Sequence, residues 1–160
     1  MSSIFKYPLG IRATDKINGF YGYCVARQQT VTRAIQYAVK LEAKENSPGD
    51  ILNLDVDNLV FDTSINFTIM DEDPNFKFDI FDKVRCSFSG FTGTISCRSQ
   101  HVNKCNQYYV CSKKLSKKGK PIYFWFDEIE LELIKKSIKT ETKNATITGG
   151  PDSKFDGKFV

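Results

Sequence analysis

The sequence predicts a mainly β chain, built as two small antiparallel barrels in tandem with an extended C-terminal tail. Three observations carry this. First, Gly90-Phe91-Thr92-Gly93 stands 71 positions after Gly19-Phe20-Tyr21-Gly22. At the same offset, with no gap, Arg27 falls on Arg98, Val31 on Val102, Gln36 on Gln107, Tyr37 on Tyr108 and Val39 on Val110. Second, Ile35, Tyr37 and Val39 alternate with other residues, as do Leu52, Leu54 and Val56, and Ile129, Leu131 and Leu133. That is the period of a half-buried strand. Third, Asn18-Gly19 and Ser89-Gly90 are tight-turn signals, and no stretch of useful length has helical spacing.

The elements follow in order. Met1 to Pro8 is a lead whose Ile4, Phe5 and Tyr7 either pack on a neighbour or fray. The first unit spans residues 1–62. Its strands run from Ile11 to Ile17, from Phe20 to Arg27, from Ile35 to Val39 and from Leu52 to Val56, with a short last strand at Leu59 and Val60. Gly22 marks a bulge or a close bend within the second strand. Residues 63–78 form an acidic linker, in which Ile65, Phe67 and Ile69 alternate as an extra strand and Asp71-Glu72-Asp73-Pro74 makes a turn. The second unit spans residues 79–134. Its strands run from Phe81 to Phe88, from Phe91 to Arg98, from Tyr108 to Cys111, from Ile122 to Phe126 and from Ile129 to Leu133. Lys113 to Lys120 forms a lysine-rich hairpin loop. Residues 135–160 form a tail, and Gly149-Gly150-Pro151 stops any regular element there.

Charge is laid out in blocks. Residues 1–40 carry six basic side chains and one acid, 41–82 two and eleven, 83–122 nine and none, and 123–160 six and seven. Alternation of this kind suits docking of oppositely charged faces, and it leaves a basic surface for an anion. The chain opens with no apolar signal region and has no run long enough to span a bilayer, so it reads as soluble and intracellular. The five cysteines are odd in number and never spaced Cys-x-x-Cys, which reads as free thiols. Cys97, His101 and Cys105 are the one arrangement with a metal-like look, and their spacing is not that of a structural zinc site. The expectation is no metal and no cofactor.

The run Val84-Arg85, Ser89-Gly90-Phe91-Thr92-Gly93-Thr94-Ile95 resembles the opening of a KOW or SH3-like barrel. Together with Cys105-x-Gln107-Tyr108, Trp125-Phe126-Asp127-Glu128 and the Thr148-Gly149-Gly150-Pro151 tail, it is similar to a group of small phage-encoded proteins of unknown function. The likeness covers Asp79 to Leu133 and, loosely, the tail. It implies tandem SH3-like (KOW-like) barrels, a phage origin, and a place in the host cytoplasm or the virion. It implies no catalytic residues.

No catalytic constellation is visible either. His101, expected in an exposed loop, is the one histidine, and no phosphate-binding glycine motif occurs. The chain is therefore expected not to be an enzyme but an interaction protein: a virion accessory (head, neck or decoration) or an assembly factor. Its partners would be other phage proteins or further copies of itself, with no membrane. The alternative is a binder of nucleic acid or of a nucleotide, including a signalling nucleotide. Lys113, Lys114, Lys117, Lys118 and Lys120 supply cations for phosphates, and nearby rings supply stacking surfaces. The competing reading makes these lysines a solvated edge that blocks aggregation. Arg27 and Arg98 mark either a shared anion site or a salt bridge closing each barrel, for example to Asp57 and Asp127. Tyr123 and Trp125 are expected to face outward as a docking patch, with Phe124 and Phe126 turned into the core as the counterparts of Leu54 and Val56.

Overall fold

A computed structural model describes residues 4–32, 34–42, 49–64, 74–103 and 105–138. The first unit has strands β1 (Arg12–Asp15), β2 (Tyr21–Thr30), β3 (Ile35–Leu41), β4 (Ile51–Asp55) and β5 (Leu59–Phe61). The second has β6 (Lys83–Cys86), β7 (Thr92–His101), β8 (Asn106–Leu115), β9 (Pro121–Asp127) and β10 (Leu131–Lys135). Helix among the described residues is confined to two single 3-10 turns, Val56–Asn58 and Glu128–Glu130. Every pairing is antiparallel, in the order β5-β1-β2-β3-β4 and β10-β6-β7-β8-β9. Among the described residues no helix is long and apolar enough to cross a membrane.

The alternating residues produce two equivalent cores. Leu9, Ile11, Ala13, Cys24, Tyr37, Val39 and Leu59 are buried together in the first. Phe78, Val84, Cys86, Ile95, Tyr108, Val110 and Leu131 are buried together in the second. The Val, Leu, Ile and Phe side chains among them each contribute about 1.5–3 kcal/mol on full burial. Gly22 and Gly93 are required by close approach. A Cβ would lie 2.0 Å from the Lys40 carbonyl oxygen at the first and 2.4 Å from that of Cys111 at the second. The bulge lies further along β2, between Cys24 and Ala26, with its equivalent between Ile95 and Cys97 on β7.

The two units form one sheet. β2 and β7 run past their expected ends at Arg27 and Arg98, because their last residues pair with each other: Ala26 faces His101, Gln28 faces Ser99 and Thr30 faces Cys97. Gln28 and Ser99 are themselves 71 apart. An approximate two-fold axis therefore passes between them, and the units are joined as a symmetric dimer would be.

Several expectations are corrected. Phe76 and Phe78, placed in the linker, pack with the second core. Of the two courses left open for the lead, Phe5 takes the packed one, as expected, and is buried. β8 continues to Leu115, so Lys113 and Lys114 lie in the strand and only Ser116 to Lys120 make the turn. Glu128–Glu130 is a 3-10 turn, and the last strand starts at Leu131. Gln36 pairs with Asp55 and Gln107 with Asp127, so the offset rises by one in the fourth strand rather than falling. The proposed strand from Ile65 to Ile69, the Asp71–Asp73 part of the acidic turn and the tail beyond residue 138 lie outside the described residues.

Candidate functional site

Two regions hold the residues singled out from the sequence. The first is the joint. Arg27 donates from Nε to Gln100 Oε1 at 2.8 Å and from Nη1 to the Tyr7 carbonyl at 2.9 Å. Arg98 repeats this across the axis, donating from Nε and Nη2 to Gln29 Oε1 at 3.1 and 2.9 Å and from Nη1 to the Phe78 carbonyl at 3.4 Å. The guanidinium of Arg27 lies 4.8 Å from the Phe5 ring and that of Arg98 4.7 Å from the Phe76 ring. Those two rings meet edge to face at 6.5 Å. Arg98 also pairs with a carboxylate, but with Asp79 at 3.2 Å. Asp127 instead accepts from Gln107 Nε2 at 2.8 Å. Arg27 is 2% exposed, so its charge serves the joint and not a surface.

The second region is the β8–β9 hairpin. Tyr109 faces Trp125, Cys111 faces Tyr123, Val110 faces Phe124 and Tyr108 faces Phe126. Strand alternation puts Tyr109, Tyr123 and Trp125 on one side. Tyr109 lies 4.8 Å from Tyr123 and 5.0 Å from Trp125, ring centre to ring centre. Burial, then the neighbouring Tyr123, pushes the Tyr109 phenol above its ordinary value. Tyr123 and Trp125 are exposed, as expected. Phe126 packs on the second core. Phe124, expected in that core, is 55% exposed. β9 pairs with β8 alone among the described strands, so the sheet curls without closing over Phe124.

On the Phe124 side is a cleft of about 500 Å³ lined by Ser89, Gly90, Phe91, Phe124, Phe126 and Glu130, with Trp125. Its first wall is a tight turn. Gly90, at φ 71, lets the Gly90 amide reach the Cys86 carbonyl at 2.9 Å and the Cys86 amide reach the Phe91 carbonyl at 2.8 Å. That presents Phe91 to β9, 5.4 Å from Phe124 and 5.5 Å from Phe126. Glu130 is held by the Asp127 amide, which donates to its Oε2 at 2.7 Å.

Lys113, Lys114, Lys117, Lys118 and Lys120 are all exposed at the far tip of the same hairpin. His101 closes β7 rather than sitting in an exposed loop. It is half-buried, with Nε2 3.5 Å from Ser99 Oγ. The Cys105 thiol meets Asp127 Oδ1 at 3.4 Å, and burial and that carboxylate push it up. Among the described residues no group of three His, Cys, Asp or Glu side chains is arranged to hold a metal ion.

Sequence reasoning missed Gln29, Gln100, Phe5, Phe76 and Glu130. A signal existed for four of them: Gln29 and Gln100 stand 71 apart, and so do Phe5-Lys6 and Phe76-Lys77. The chain matches no protein family, no curated protein and no solved structure.

Proposed function

We propose that the chain is a non-catalytic binding protein made of two SH3-like barrels, and that it docks a partner protein through β9 of the second unit. The strand order with a 3-10 turn before the last strand supports the barrel reading. The observation that carries the docking reading is an asymmetry in a faithful repeat. Ala38, Asn53 and Ile51 of the first unit correspond to Tyr109, Trp125 and Tyr123 of the second. Trp125, exposed where the equivalent unit manages with Asn, is not needed for folding, and exposed Tyr and Trp are favoured at interfaces. The resemblance to small phage-encoded proteins points to a virion accessory or an assembly factor. Mass spectrometry of purified particles tests this. Recovery in fixed stoichiometry, lost in Trp125→Ser, is expected. Absence of the wild-type protein from particles and from assembly intermediates refutes it.

A second reading has its own observation: five exposed lysines end the hairpin that carries Tyr109, Tyr123 and Trp125. Cations for phosphates beside flat rings suit a single-stranded nucleic acid or a nucleotide. A shift of labelled oligonucleotide that weakens steeply with salt supports this reading, and a salt-independent shift or none at all rejects it.

A further inference from the structure

Resting on the reading of β9 as a docking strand, we infer that the cleft beside it receives a cationic head group, an alkylammonium or a guanidinium, carried by the partner. The rings of Phe91, Phe124 and Phe126 share this cleft with a single carboxylate, Glu130. Ring faces are electronegative and hold cations within about 6 Å of their centres. Phe91 meets Phe124 at 80° and Phe126 at 32°, while Phe124 and Phe126 are 6.5 Å apart at 75°. The cleft therefore offers ring surfaces in more than one plane.

The electrostatics run the same way. Asp127 and Glu128 adjoin Glu130 on the same turn, whereas the lysines lie toward the opposite end of β9, Lys117, Lys118 and Lys120 beyond the Leu115–Pro121 pair and Lys113 and Lys114 just before it on β8. Arg85 pairs across from Glu132 on β10, so that acid is the one with a cation opposite it.

The repeat supplies a control within the molecule. Phe20 corresponds to Phe91, but Leu52, Leu54 and Asn58 stand where the second unit has Phe124, Phe126 and Glu130. Leucine is sufficient for the fold at those places. The extra rings and the extra charge occur together, in one unit only and around one cleft, which is the pairing that cation recognition requires.

The Trp125 ring lies on the other face of β9, with Tyr109, so occupancy is read by isothermal titration calorimetry. The full chain is titrated with choline, with arginine amide, and with the neutral isostere of choline that has a tert-butyl group in place of trimethylammonium. The expected result is a saturable change with at least one cation and about tenfold weaker binding of the neutral compound. Tighter choline binding identifies a methylated ammonium, and tighter arginine amide binding a guanidinium. Glu130→Gln should weaken the cation about fivefold to tenfold at an unchanged melting temperature, because the amide oxygen still accepts from the Asp127 amide. Phe124→Leu, which installs the residue of the first unit, should abolish the response. Equal binding of the neutral compound, an unaffected Glu130→Gln, or no saturable response to either cation overturns the inference. If Trp125→Ser still abolishes partner binding in that case, docking through β9 stands and the cationic group alone falls.

Discussion

Replacing Arg27 with Met should cost the protein at least about 2–5 kcal/mol, the amount carried by two of its contacts at the joint. The guanidinium is 2% exposed and donates to Gln100 Oε1, itself on a residue 6% exposed. Loss of the donor leaves that oxygen buried without its arginine partner, at about 1–3 kcal/mol. The Tyr7 carbonyl loses less, because the Tyr37 hydroxyl also donates to it at 2.9 Å. The desolvated contact with the Phe5 ring adds about 1–2 kcal/mol. Methionine keeps much of the aliphatic volume, so cavity formation is small. A second change, Gln100→Leu in the same chain, removes the orphaned amide and should recover about 1–2 kcal/mol. Urea unfolding, followed by circular dichroism and by Trp125 emission, reads both numbers. Arg98→Met serves as the comparison. The Arg98 side chain is 12% exposed, and its contacts are partly wet, so the loss should be about half as large. A loss below about 1 kcal/mol for Arg27→Met, or a further loss on adding Gln100→Leu, would show that the joint does not depend on this pair.

Three further outcomes follow from the same geometry. Phe126→Ser should cost about 2–3 kcal/mol, less than a fully buried ring, while Trp125→Ser costs under about 1 kcal/mol; equal losses in urea unfolding would refute the assignment of Phe126 to the core side. Gly22→Ala and Gly93→Ala should each lower the melting temperature by several degrees, since the added methyl meets a backbone carbonyl that cannot swing away. Burial pushes the thiols of Cys24 and Cys97 up to about 12, so a disulfide reagent near neutral pH should spare both until the chain unfolds. The folded state holds protons that the unfolded thiols release above 9.0, so stability should fall as pH rises from there toward 12, with a denaturation series at stepped pH as the check.

The fold was legible where local chemistry decides it. Asn18-Gly19 and Ser89-Gly90 fix two turns, and Gly19 and Gly90 adopt φ 70 and 71 there. Tyr37, Val39, Tyr108 and Val110 alternate into the cores because a strand buries every second residue. The joint was not legible in that way. Arg27 and Arg98 invite a carboxylate partner, and nothing local says that two glutamines from the opposite unit will supply the acceptors. The position of Phe124 was hidden for a different reason. The offset differs from the expected one by two residues, which leaves Phe124 on the same face as expected, and whether a core-side ring is covered depends on closure of the sheet. Glu130 escaped notice because a 3-10 turn carries no periodicity to read.

The two-fold joint has a consequence for valency. In a dimer of separate identical chains, any ring added to an edge strand appears twice, and two sticky edges related by symmetry can propagate an assembly. Here both units belong to one chain. Their association is intramolecular, at an effective concentration of about millimolar for a short tether, so a seam of five residue pairs holds them together. Substitutions no longer have to be suffered by both halves. The first unit keeps Ala38 and Asn53, and the second carries Tyr109 and Trp125 at the same stations. Such a chain presents one aromatic edge instead of two, and a molecule with one such edge terminates an assembly or binds at a ratio of one to one.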